Sequence, residues 1–367
     1  MEVGIIGLPK VGKTTLFNTL TSSHQSTDRY QVSSEVNVAV ASVPDPRLSR
    51  LRHHYNPKKF TPATVTYVDI PGMKKGGGAE SLDLARLRDV DALAHVVRAF
   101  NDPETLHSEG SVDPDRDVEI VDLELILADL DIVSRRIERL DKAQKRGLSA
   151  DEQRERTLLT EVILPTLEQE QPLRTLELSA EDERRLRGFQ LLSAKPLLLV
   201  INVDEGALAE ECSLGSLRPR SAGTEADHQK DARYPEVVAV SATIEEEISR
   251  LDAEHQEEFL ADLGLSEPSL DRVIRASYSL LGLVSFFTVG EDEVRAWTLR
   301  DGTHARKAGG AIHSDIERGF IRAEVTAWED LLNLGSLASC RDQGLLRLEG
   351  KEYLVQDGEV VHFRFNV

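Results

Sequence analysis

Gly7, Gly12, Lys13 and Thr14 stand in the run Gly7-Leu8-Pro9-Lys10-Val11-Gly12-Lys13-Thr14-Thr15. Their spacing, G-x-x-x-x-G-K-[ST], is that of a loop that wraps phosphate. The glycines let the backbone bend until its N–H groups converge on phosphate oxygens. The N-terminus of the next helix adds partial positive charge, and Lys13 supplies a full one. Thr14 offers a hydroxyl to Mg²⁺. Lys10, Val11, Gly12, Lys13, Thr14 and Thr15 are the predicted nucleotide contacts of this loop. The loop works only between a strand and a helix, and Val3 to Ile6 and Thr15 to Leu20 supply them.

A second element, Val65-Thr66-Tyr67-Val68-Asp69-Ile70-Pro71-Gly72, reads as a buried strand ending in D-x-x-G. Asp69 can hold the water shell of the magnesium ion, and the N–H of Gly72 can meet a γ-phosphate. Lys13 and Gly72 are the candidate catalytic groups. In many related switches a glutamine follows D-x-x-G and orients the attacking water. Met73 stands there instead, and a thioether cannot both donate and accept hydrogen bonds. Either another group orients the water or intrinsic turnover is slow.

Two further apolar runs, Ala94 to Phe100 and Pro196 to Asn202, are short enough for parallel-sheet strands. The second ends in Asn202-Val203-Asp204-Glu205, where a guanine-specific protein of this class shows N-K-x-D. The aspartate of that pattern accepts both hydrogens of the guanine N1–H and 2-amino edge. Glu205 is one carbon longer, and Val203 removes the lysine stem that covers the ring. Adenine, with a donor amine and an unprotonated N1, gains nothing from that aspartate, so ATP is favoured over GTP. Asn202 at a strand's carboxyl end suits a pocket; Glu205 also fits an ordinary loop carboxylate. A last strand, Val237 to Ser241, places Ser241-Ala242-Thr243 where an S-A-K base loop belongs.

The elements that position these groups fit a chain of 367 residues, long enough for two or three domains. No apolar run approaches 18 residues and the N-terminus lacks the features of a signal peptide, so a soluble, cytoplasmic protein with no membrane partner is expected. Two cysteines, Cys212 and Cys340, argue against a disulfide framework. The 64 acidic against 44 basic residues give a net charge of −20, which disfavours indiscriminate attachment to anionic polymers without excluding a local basic patch. Lys74-Lys75 is such a cluster, as readily a pair of solvated lysines.

After the fourth strand the pattern turns helical. Ile120, Leu123, Leu127, Leu130, Ile137 and Leu140 form one apolar stripe at three-four spacing, and Ser149 and Ser179 begin S-x-x-[DE] capping signals. An antiparallel helical pair or triplet accounts for the stripe, and its charged outer faces read first as solvated surface. Residues 213–236 read as loop. From Leu281 short strands return, with one helix over "AIHSDIERG" and a hairpin signal at Asp357-Gly358. Trp297, Trp328 and Phe363 read as core. His313 and His362 lack partners at metal-ligand spacing.

The phosphate loop, the "DIPG" box, "HVVRAF", "DLELILADL", "INVDE" and the C-terminal "FFTVGEDEVRAWT", "GFIRAEV" and "LEGKEYLVQDGEVVHFRFNV" together resemble the YchF / Obg-like ATPase family over nearly the whole chain. The resemblance implies an α/β fold: a P-loop NTPase domain with a mainly parallel sheet (1–114 and 193–280), interrupted by an α-helical coiled-coil insertion (115–192) and followed by a β-grasp TGS domain (281–367). It implies adenine preference through N-x-x-E, with Asn202, Val203, Glu205 and Ser241 at the base. It implies an apolar residue in place of the glutamine, as Met73 is. Ser33 lies where the family has a threonine that meets Mg²⁺, with Ser34 its rival and a plain loop serine the alternative; Thr14, Ser33 and Asp69 are then the metal ligands. Ribosome or ribosomal RNA is the implied partner. The chain departs from the family at Lys10, where asparagine is usual, and in a glycine-rich stretch after Gly72 that is about four residues shorter.

The expectation is a monomeric, Mg²⁺-dependent, ATP-hydrolysing switch. A GTPase translation factor and a binding module merely stabilised by nucleotide stand as alternatives. There is no nucleophile elbow and no zinc spacing.

Overall fold

The computed structural model describes residues 1–22, 37–70, 84–208 and 234–366. The chain divides into two units, Met1–Ala39 with Thr66–Val273, and Val40–Val65 with Ile274–Val367. Residues 40–65, grouped from sequence with the nucleotide domain, fall in the second.

Strand β1 (Glu2–Ile6) is buried along almost its whole length, as a strand covered on both faces must be. It lies inside a six-stranded sheet of order β2-β4-β1-β5-β6-β7, completed by β2 (Asn37–Ser42), β4 (Thr64–Asp69), β5 (Ala92–Arg98), β6 (Leu197–Asn202) and β7 (Glu236–Val240). The pairs β1–β4, β1–β5, β5–β6 and β6–β7 are all parallel. The carboxyl ends of β1, β4, β5 and β6 therefore share one edge, where loops gather a ligand site.

The insertion begins with a helix over Pro114–Gln144, started by the Asp113 side chain accepting from Arg116 N, by Pro114 in the first turn, and by Asp115 and Asp117 near the positive end of the dipole. The chain returns through Ala150–Leu158, capped by the expected box of Ser149 and Glu152, and a third segment starts at Ser179 as its S-x-x-D signal predicts. Val133, Leu140, Leu159, Ile163 and Leu167 fuse the arms. The predicted stripe holds only in the distal half. Leu123 and Leu127 are exposed, whereas Val118, Val121, Leu125 and Ile126 are buried. Polar anchors turn the proximal half. Asp129, fully buried, accepts from Leu192 N (2.8 Å), Ser193 N (2.7 Å) and Ser193 Oγ (2.8 Å). Asp122 takes both its oxygens to Arg174 and also accepts from the Tyr234 hydroxyl (2.5 Å). A hydrophobicity pattern cannot register a helix face that is buried through carboxylates.

In the second unit, β8 (Leu283–Thr288) pairs antiparallel with β9 (Glu293–Arg300), and β12 (Glu359–Phe365) lies parallel to β8. Antiparallel β10 (Phe320–Ala327) and β11 (Arg347–Glu349) extend the sheet on one side. With the helix Ala305–Ile312 between β9 and β10, this is β-grasp connectivity. On the other side β3 (Lys59–Thr61), absent from the sequence reading, adds a parallel strand to β9. Phe363 is in the core; Trp297 packs against it and donates its indole N–H to Thr288. The single helix expected over 311–319 is broken at His313, whose ring accepts from Asp315 N and starts a second helix, Ser314–Arg318. Asp357-Gly358 makes a turn but no hairpin, because β11 and β12 are separated by β10.

Candidate functional site

The phosphate loop joins β1 to the helix Lys13–Ser22. Its two glycines are sterically required. Gly7 has φ +145° and a Cβ there would lie 2.3 Å from the Val96 carbonyl oxygen of β5; Gly12 has φ +98° and a Cβ would lie 2.3 Å from Asn202 Nδ2. Lys10, exposed, also has positive φ, 64°. That left-handed conformation suits asparagine and costs a lysine on the order of 1 kcal/mol, a physical reason for the family's asparagine.

Lys13 is buried, and its ammonium donates to Gly7 O (3.0 Å) and Leu8 O (2.7 Å), leaving one of its three donors for a ligand. Burial lowers its pKa to about 8, opposed by the charge of Asp69. Asp69, at the end of β4, is pushed above the ordinary carboxylate range by burial, with Lys13 and a hydrogen bond from the Thr14 side chain pulling the other way. A cation, a hydroxyl and a carboxylate thus face one another at the mouth of the loop. Thr14 and Asp69 are hard oxygen donors of the kind Mg²⁺ takes. The described residues hold no group of three or more acidic, His or Cys donors. Ser33, Ser34, Gly72, Met73, Lys74, Lys75 and Cys212 lie outside the described residues.

Asn202 ends β6 and is buried. Its Nδ2 donates to Val11 O (3.0 Å) and its Oδ1 accepts from Ala242 N (3.0 Å), so one side chain ties the phosphate loop to the start of the helix Ala242–Ile248. Ser241, also buried, hydrogen-bonds Thr243 (3.1 Å). Val203 is buried and donates its N–H to Val240 O (2.8 Å). Glu205 is exposed and opens the short helix Glu205–Leu208. The structure therefore brings Val11, Gly12, Asn202 and Ser241 into one connected group and leaves Glu205 free at its rim.

Sequence reasoning missed Arg98. This guanidinium, almost wholly buried at the end of β5, donates to the carbonyls of Phe100 (3.2 Å), Asp102 (3.3 Å) and Thr105 (3.0 Å) and lies over the Phe100 ring. It folds the loop after β5, and Asp204 fastens the same loop by accepting from Asn101 N (3.2 Å). An arginine ending an otherwise neutral buried strand was the available signal. His95 in that strand has both ring nitrogens unpaired, and burial lowers its pKa to about 4, so the ring is neutral near pH 7.

Residues 283–366 match a family described as YchF-GTPase_C, a protein of unknown function, and residues 2–128 match one described as 50S ribosome-binding GTPase. Over 375 residues, covering 100% of both chains, the sequence is 44% identical to the ribosome-binding ATPase YchF of Bacillus subtilis. The chain belongs to the YchF family. The Haemophilus ducreyi YchF, also called a ribosome-binding ATPase, is 43% identical over 100% of this chain and 99% of its own. The solved Schizosaccharomyces pombe YchF, titled a GTPase, superposes with TM-score 0.85 at 31% identity, covering 99% of this chain and 97% of that one. YchF proteins are thus named for either nucleotide.

Proposed function

We propose that this chain binds ATP with Mg²⁺ at the phosphate loop, hydrolyses it slowly, and works in the cytoplasm as a monomer on the ribosome or its RNA. The observation that carries the reading is the buried Lys13 in a loop shaped by Gly7 and Gly12 and tied through Asn202 to the base loop. Full-length similarity to relatives named ribosome-binding ATPases supports the activity and the partner.

Lys13 holds the phosphate chain by charge while Gly12 and Lys13–Thr15 offer backbone N–H groups at a helix N-terminus. Thr14 and Asp69, with Ser33, would hold a Mg²⁺ that neutralises charge developing on the β- and γ-phosphates. Lys10 either strengthens the γ-phosphate contact or faces solvent, the Gly72 N–H would meet the γ-phosphate, and with Met73 after D-x-x-G either another group orients the water or intrinsic turnover is slow. At the other end Glu205 and Val203 disfavour guanine, and Ser241 borders the base. The division into nucleotide domain (1–114 and 193–280), helical insertion (115–192) and TGS domain (281–367) belongs to the same proposal.

The GTPase alternative draws on the name of the solved relative and of the matching N-terminal family. Phosphate release from ATP by purified chain, with Mg²⁺ and with or without ribosomes, tests the enzyme reading. Turnover that is lost in a folded Lys13→Ala variant is expected. Absence of turnover in the unaltered chain, ribosomes included, replaces the switch with the nucleotide-stabilised binding module.

A further inference from the structure

The charges of the long helix are sorted along its axis. From Pro114 to Asp131 it carries seven carboxylates and one cation, Arg116; from Ile132 to Gln144 it carries four cations and two carboxylates, Glu138 and Asp141, with Lys145 and Arg146 directly after. The helix dipole acts only within the first and last turns, so it does not impose sorting over the whole length. The proximal carboxylates have structural duties. Asp117 pairs with Arg116, Asp122 with Arg174, and Asp129 with the 192–193 backbone.

Several distal cations are neutralised locally. Arg135 pairs with Asp131 (2.9 Å), Arg136 with Glu155 (2.7 Å), Lys142 with Glu138 (3.9 Å), and Arg156 of the return arm with Asp141 (2.7 Å). Arg139, Lys145 and Arg146 are exposed and have no carboxylate at ion-pair distance among the described residues. They sit at a firm end. Leu140 is buried and Leu148 packs on the same core; Gly147, at φ +88°, closes the turn with its N–H on Gln144 O (3.1 Å). From Asp129, the last anchor to the 192–193 backbone, to Gln144 is 15 residues, about 22 Å of helix.

We infer that this hairpin tip is a phosphate-binding surface that docks on the backbone of folded RNA. The inference rests on the ribosome reading above and names the part that makes the contact. In a chain of net charge −20, Arg139, Lys145 and Arg146 give the turn a local excess of positive charge, with Asp151 and Glu152 opening the return arm behind it and Glu152 held in its capping box. Arginine and lysine match phosphate oxygens. RNA is favoured over a protein partner because protein interfaces centre on buried apolar or aromatic anchors. Among the large apolar side chains, none between Leu127 and Val162 is exposed.

The test is binding of the full chain to purified Bacillus subtilis ribosomes across a salt series. It compares the unaltered protein, a triple variant (Arg139→Ala, Lys145→Ala, Arg146→Ala), and a control that removes the same charge at the exposed Arg184, Arg187 and Lys307. The tip variant is expected to bind roughly tenfold or more weakly near 0.1 M salt, and its plot of log K against log salt to flatten by about two to three. The control should stay within about twofold, and ATP affinity should not change in either variant. Equal binding by tip variant and unaltered chain overturns the inference while leaving the ribosome reading intact. A loss of affinity with an unchanged salt slope assigns the contact to protein and also overturns it. An unaltered chain that does not bind ribosomes overturns the reading and the inference together.

Discussion

The two ends of the nucleotide site are built by opposite means. At the phosphate end everything is fixed by sterics and burial: Gly7 and Gly12 stand where no Cβ fits, and Lys13 is buried against loop carbonyls. At the base end Asn202 is buried with one amide donor and one acceptor committed to Val11 O and Ala242 N, and Val203 and Ser241 are buried beside it, while Glu205 stands exposed. On the proposed reading, phosphate binding rests on the shape of the loop and on Lys13, and base choice on a few side chains at the other end. A Cβ fits at neither glycine of the first, whereas Glu205 of the second is exposed.

The largest break should come from Gly12→Ala. The new methyl collides with Asn202 at a strained φ, and nucleotide affinity is expected to fall about 100-fold or more, near 3 kcal/mol, by calorimetry. Asn202→Ala, which leaves Val11 O and Ala242 N unpaired, should cost roughly 1–3 kcal/mol and weaken ATP and GTP alike by about tenfold. Unequal losses would move base reading onto Asn202 itself.

A third effect is set by pH. Lys13 must be protonated to hold phosphate, and in the free site its pKa is lowered to about 8 by burial. Affinity is therefore full below pH 8 and falls as pH rises through it, by about tenfold at pH 9, with proton uptake on binding near pH 8. A flat profile from pH 7 to 9 would contradict a buried, titrating lysine. The smallest change belongs to the rim. Val203→Lys with Glu205→Asp, which restores N-K-x-D, should shift the ATP-to-GTP affinity ratio several-fold toward GTP, although buried Val203 limits how far a lysine can reach outward.

What the sequence showed follows the same division. The phosphate loop, its strand and its helix were legible because backbone chemistry demands glycine and lysine at fixed spacing. Ser149 and Ser179 were legible because caps are local. The proximal face of the long helix was not, since Asp122, Asp129 and Arg174 are buried by pairing with residues tens of positions away. Nor was β3, a three-residue strand whose partner lies more than 230 residues on. Lys10 was visible as a departure, but its left-handed backbone was not. Arg98 stands in plain view at the end of its strand, yet its bonds to three carbonyls follow from a loop shape that no spacing encodes.

The central claim is that N-x-x-E at Asn202–Glu205 selects the adenine base, and the dissociation constants of ATP and GTP, titrated into the purified chain with Mg²⁺, test it most directly. Tighter binding of ATP is predicted; GTP bound as tightly as ATP or more so would contradict it.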